Sequence, residues 1–153
     1  MENYVLFTDA TAELGREMAE QLDVRVIPMP LDLDGTPYEF SYFDDRFSVS
    51  FFYNAMRAGK FAHTSQINEE TYRAYLEAPL KEGKDVLYLC FTSGLSGTIQ
   101  AAQRCVEALQ RAYPERRIRC IDTLCESVGQ LLLVYQAALR RQNGMDYEAL
   151  AGW

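Results

Sequence analysis

The stretch VLYLCFTSGLSGTIQAA, residues 86–102, decides the fold. Its first six residues are apolar and read as a buried strand. From Ile99 onward, Ala102, Val106, Leu109 and Tyr113 recur at helical spacing, which predicts a helix over 95–113. Between the two, TSGLSGT packs four hydroxyls and two glycines into seven positions, 92–98. A strand that turns at once into a helix is the building unit of a parallel α/β sheet. Such sheets bind ligands beyond the carboxyl ends of their strands, where this turn lies.

Working outward, the same alternation repeats. Tyr4–Thr8 reads as a strand, and Leu14, Met18 and Leu22 share a helical face after it. Residues 24–27 read as a second strand, interrupted by Pro28 and Pro30. Leu31–Asp32–Leu33 then alternates toward a turn at Asp34–Gly35. Helices are predicted over 48–56 and 69–80, and a strand over 117–122. Val128, Leu131, Leu132, Tyr135 and Leu139 trace a long amphipathic helix that stops near Asn143–Gly144, and Asp146 caps one more turn. Together these predict an α/β domain of three layers, a Rossmann-like parallel sheet with helices on both faces. The strand ends that should carry the chemistry are Thr8–Asp9, Thr64–Ser65–Gln66, Thr92–Thr98 and Asp122–Thr123.

Composition narrows the function. With 153 residues and a net charge of −7, the chain is one domain in size and lacks the basic surface that DNA or RNA demands. No apolar run approaches the ~20 residues of a membrane span, and the N-terminus lacks a secretory signal. The four cysteines, at 90, 105, 120 and 125, form no Cys-x-x-Cys pair, and with a single histidine they offer no zinc site. Cys90 and Cys105 read as buried free thiols, and the expected location is the cytoplasm.

Catalytic signatures are missing as well. There is no Gly-x-x-x-x-Gly-Lys-Ser/Thr loop, no Gly-x-Gly-x-x-Gly, and no Gly-x-Ser-x-Gly elbow around Ser96. Asp9, Asp122 and Glu126 stand at strand ends and read as helix caps or as supports for the hydroxyl loops. Ser96 or Thr98 either caps the helix that follows or, with the backbone amides at its start, forms an anion site. The loop His63–Thr64–Ser65–Gln66 either caps the 69–80 helix or supplies a second pair of hydroxyls. Neutral hydroxyls and amides without a tuned titratable group suit an anion such as a carboxylate, held and not transformed. No catalytic residue and no cofactor is expected.

Five segments, FTDATAEL (7–14), VRVIPMPLDLDG (24–35), TSQ (64–66), TSGLSGTIQAA (92–102) and IDTLCESVGQ (121–130), resemble the DegV family, fatty-acid-binding proteins that serve bacterial fatty acid kinase. They stand in that family's order across essentially the whole chain. The resemblance implies two domains, with a long-chain fatty acid in a tunnel and its carboxylate held by hydroxyls. On that basis Thr64 and Ser96 are the carboxylate ligands, with Ser65, Ser93, Gly97 and Thr98 as neighbours. It further implies a carrier that presents the head group to a separate kinase subunit. Two departures stand out: the family's Asp-Ser is Asp9–Ala10 here, and the chain has about half a family member's length. Residues 1–144 are therefore expected to be the first domain and 145–153 the start of a connecting helix, with the second domain absent and its open face favouring self-association. Two other readings are a phosphotransfer domain like those of dihydroxyacetone kinases, using His63, and an assembly fragment without a ligand.

Overall fold

The computed structural model describes residues 4–41 and 47–153. Four strands form a parallel sheet: β1 (Tyr4–Asp9), β2 (Val24–Ile27), β6 (Asp85–Cys90) and β7 (Ile118–Asp122), in the order β2-β1-β6-β7. Side chains along β1 and β6 alternate between its two faces. Tyr4, Leu6, Leu87 and Leu89 join a core with helices α1 (Arg16–Leu22), α5 (Ser127–Gln142) and α6 (Tyr147–Gly152). Val5, Phe7, Val86, Tyr88 and Cys90 join the opposite core, with α3 (Glu69–Lys81) and α4 (Thr98–Ala112). The predicted three layers are therefore present, and every residue of β1 and β6 is buried.

A second sheet lies beside the first. Strands β3 (Met29–Leu33), β4 (Thr36–Phe40) and β5 (Ala62–Thr64) pair antiparallel in the order β4-β3-β5. Asp34 and Gly35, at φ 57° and 81°, make the two-residue hairpin turn, and the Gly35 amide donates to Asp32 Oδ1 at 2.8 Å. Helix α2 (Val49–Arg57) packs here through Phe52 and Ala55, beside Leu31, Leu33 and Phe47. The sequence signals the turn but not β4 or β5. Pro37 sits inside β4, and β5 has only three residues, so neither presents a run long enough to read. Pro30 does not interrupt pairing: it stands opposite Glu39 within β3, and its carbonyl accepts from the Ser65 amide at 3.1 Å.

Two helical expectations are corrected. Met18 is 40% exposed, whereas Leu14, Ala19 and Leu22 are buried. The chain after β1 first makes a 3₁₀ turn, Ala10–Ala12, and Glu13 then turns left-handed at φ 54°, so α1 begins only after Gly15. On α5 the predicted apolar positions split: Leu131 and Leu139 pack against the first core, while Val128 and Leu132 are 66% and 59% exposed. The buried face is Gln130, Val134, Ala137 and Ala138, whose alanines admit close approach to the sheet while Gln130 serves a polar network.

Residues 147–152 dock as a short helix against the first core. Tyr147 is fully buried, meets Tyr4 edge-on at 5.6 Å between ring centroids, and donates to the Val86 carbonyl at 3.0 Å. Arg117 lies over the same ring at 4.5 Å. Among the described residues no helix is long and apolar enough to cross a membrane. Tyr147→Ala is expected to cost about 3–5 kcal/mol, the usual range for deleting a buried aromatic ring, measured as a lower urea midpoint with an unchanged slope.

Candidate functional site

Above the carboxyl ends of β1 and β6, a cavity of about 340 Å³ opens between the two sheets. Its polar wall is Asp9, Thr11, Thr64, Ser65, Gln66, Ser96 and Thr98, and its apolar wall is Met29, Ile67, Phe91 and Leu95. Thr64 and Ser96 are thus brought to one cavity from separate elements. Thr64 ends β5 of the small sheet, and Ser96 precedes α4 of the large one. Among the described residues no lysine, arginine or histidine contributes to the wall. His63, on which the phosphotransfer alternative depends, stands opposite Asp32 on β5, is exposed, and does not line the cavity.

The four hydroxyls of TSGLSGT divide their labour. Thr92 Oγ1 accepts from the Gly94 amide at 3.1 Å, which shapes the turn. Ser93 lies outside the cavity wall, its amide donating to Asp122 Oδ1 at 3.2 Å, as does the Leu124 amide at 3.0 Å. Burial would raise the Asp122 pKa, but hydrogen bonds from the Ser93 hydroxyl and from the Leu124 and Ser93 amides outweigh it and hold the carboxyl below its ordinary value. Ser96 Oγ accepts from the Thr98 amide at 3.1 Å, so its own proton is available to a ligand. Thr98 is buried and faces the cavity, and Gly97 supports that turn without lining it.

On the other loop the capping alternative is overturned. Asn68 Oδ1, not Thr64 or Ser65, accepts from the Thr71 amide at 2.8 Å and caps α3. The Thr64 and Ser65 hydroxyls, both exposed at the cavity mouth, are left without that duty.

The floor is a buried polar network centred on Asp9, a residue with no solvent exposure. Asp9 Oδ2 accepts from the Tyr88 hydroxyl at 2.6 Å and from the Phe91 amide at 3.2 Å. Oδ1 accepts from the Thr11 amide at 3.1 Å, from the Thr11 hydroxyl, and from Gln130 Nε2 at 3.4 Å. Since Tyr88 gives its proton to Asp9, the hydroxyl of Tyr72, 3.2 Å away, donates to Tyr88. Asp9 therefore caps the 3₁₀ turn, and Asp122 braces the hydroxyl loop, as the sequence suggests. Glu126 occupies the N-cap position of α5 but makes no side-chain cap bond. Gln130 and Tyr88 escaped the sequence reading because each sits within an apolar run, and a polar group in such a run was the available signal.

All four cysteines are free, with Cys90 and Cys105 buried as expected. Burial pushes the Cys105 thiol up to about 11, which makes it inert near neutral pH. No cluster among the described residues could hold a metal ion.

The model described as "Uncharacterised protein, DegV family" matches residues 3–153. The chain belongs to the DegV family. A DegV domain-containing protein of Clostridium perfringens is 34% identical over 153 residues, all of this chain and 52% of that protein. A solved DegV family protein from Thermus thermophilus, described by its fatty acid binding, superposes with a TM-score of 0.80 at 28% identity, over 98% of this chain and 51% of its own. A stearic-acid-binding protein from Eubacterium ventriosum shares the fold with a TM-score of 0.87 at 24% identity, over 97% of this chain and 51% of its own. The chain spans about half the length of the DegV relatives it matches.

Tyr88→Phe removes one donor from a buried carboxylate and is expected to cost about 1.5–3 kcal/mol at neutral pH by urea denaturation. Burial, and then the nearby Asp9 charge, raise the Tyr88 pKa well above its ordinary value, and burial does the same for Tyr72. A pKa raised in the folded state gives stability that is complete below pH ~10 and declines as pH rises beyond it. The wild type should therefore lose stability steeply above pH ~10, and Tyr88→Phe less steeply.

Proposed function

We propose that this chain is the hydroxyl-bearing half of a long-chain fatty-acid carrier of the DegV family. Thr64 and Ser96 hold the carboxylate, with Ser65 and Thr98 beside them, and Ser93 and Gly97 shape the loop behind. The observation that carries this reading is that Thr64 and Ser96, 32 positions apart in sequence, line one cavity together with the apolar Met29, Ile67, Phe91 and Leu95. The fatty acid binding described for the Thermus thermophilus relative supports it. The hydroxyls among the described lining residues fit a ligand held by neutral donors.

The energetics place affinity in the tail. Burying about 14 methylenes at ~0.8 kcal/mol each gives roughly 11 kcal/mol as an upper bound. Each hydrogen bond to the charged head adds ~1.5–3 kcal/mol. The cavity here is too open to cover such a tail, since Leu95 in its wall is 65% exposed. In the proposed full-length protein, further chain beyond residues 145–153 completes the tunnel. The protein acts in the cytoplasm as a carrier, not a catalyst, and presents the head group to a separate fatty acid kinase subunit. The outward stripe of Val128, Leu132 and Tyr135 favours self-association of this half alone.

Two measurements check this. In isothermal titration octadecanoate should bind this half weakly and a version with the further chain restored tightly, and in that restored version Thr64→Ala/Ser96→Ala should weaken binding by about 100-fold or more, two charge-assisted bonds being lost. Light scattering should show a concentration-dependent oligomer, which Val128→Glu/Leu132→Glu dissolves.

A further inference from the structure

The Gln66 side chain is the one member of the hydroxyl loops with an amide. It lines the cavity, and among the described residues it makes no hydrogen bond. Its position is set by Gly97. A Cβ built on Gly97 would stand 2.7 Å from Gln66 Nε2 and 3.1 Å from Gln100 Oε1. Gly97 has φ −75°, so its backbone conformation is open to any residue. Glycine is needed here for space alone, and the space it clears is filled by the Gln66 amide. That amide thus crosses from the β5 loop to the start of α4, between the elements that carry Thr64 and Ser96.

The geometry points to Gln66 as a third head-group contact, an inference that rests on the fatty-acid reading above. Its NH₂ donates to the carboxylate oxygen that Ser96 and Thr64 leave underused. A carboxylate has about four acceptor positions on its two oxygens, and two hydroxyls fill only half of them. A neutral amide adds a donor beside the neutral hydroxyls of Thr64 and Ser96. Gly97 is the positioning residue: its bare Cα lets the amide lie against the start of α4, next to Ser96 in sequence. Gln66 would thus select a carboxylate over an uncharged head. An alcohol group has fewer acceptor positions and no charge to reward the extra donor.

The test compares octadecanoate with octadecanol, both delivered from cyclodextrin to the version with the further chain restored, carrying the natural residues or Gln66→Ala, Gln66→Glu, Gly97→Ala or Gln66→Ala/Gly97→Ala. For octadecanoate, Gln66→Ala should weaken binding about 10-fold, and Gln66→Glu more, because it replaces the donor with a like charge. Octadecanol affinity should change less than 3-fold in both. Gly97→Ala should behave as Gln66→Ala does, because its methyl displaces the amide, and the double variant should be no worse than either single one. Thermal midpoints should stay within about 2 °C of wild type, since the displaced atoms are the free ends of flexible side chains. Equal losses for acid and alcohol, or unchanged octadecanoate binding in Gln66→Ala, would overturn the inference and leave the fatty-acid reading standing. No octadecanoate binding by the restored version with its natural residues would overturn both.

Discussion

Everything at the top of the large sheet hangs on the Asp9 carboxylate. It is fully buried, and donors reach it from four separate places: the 3₁₀ turn after β1, Tyr88 on β6, the Phe91 amide at the start of the hydroxyl loop, and Gln130 on α5. An anion in such a place is tolerable only if these donors all stay aligned. The chain is thereby forced to hold β1, β6, α5 and the beginning of the 92–98 loop in one arrangement. Ser96 and Thr98 gain their positions from a charge they do not touch. Next door, Asp122 does the same for the other side of the loop through the Ser93 and Leu124 amides.

This division explains why a hydroxyl-rich turn carries no lysine, histidine or acid of its own. Its acids lie at the ends of neighbouring strands, where they order the backbone from behind. The turn itself presents only small neutral groups to the cavity. Thr92 and Ser93 are consumed in building the turn, and Ser96 and Thr98 are left facing outward from it. The first pair makes the second pair rigid.

The large sheet was legible in the sequence because its signals are long and local. Residues 86–91 are uniformly apolar, as strands covered on both faces must be, and the 99–113 periodicity runs for four turns. The small sheet was not, because its stability comes from pairing between segments distant in sequence: Leu31 meets both Tyr38 and Thr64. The apolar positions of α5 divide: Leu131 and Leu139 pack on the first core, and Val128 and Leu132 face outward. Periodicity alone cannot distinguish an apolar stripe that packs inward from one that waits for a partner, and here two alanines and a glutamine took the inside. The meeting of Thr64 with Ser96 was reached through resemblance to the DegV family, since nothing local to either residue announces the other. The role of Asn68 as the α3 cap, one residue beyond the reach of the hydroxyl loop, is what separates Thr64 and Ser65 from a purely local duty.

The wall that bears Thr64 belongs to β5, a three-residue edge strand paired with β3 over Leu31–Leu33 and held at its ends by the Asp34 amide on the Phe61 carbonyl and the Ser65 amide on the Pro30 carbonyl. The opposite wall rests on the deepest strand of the large sheet, whose residues are buried throughout. A molecule that spans the two ties a short edge strand to a fully buried one. By mass action it stabilises that joined arrangement by RT ln(1 + [L]/Kd), so filling the seam and holding β5 in place are one thermodynamic event seen from two sides.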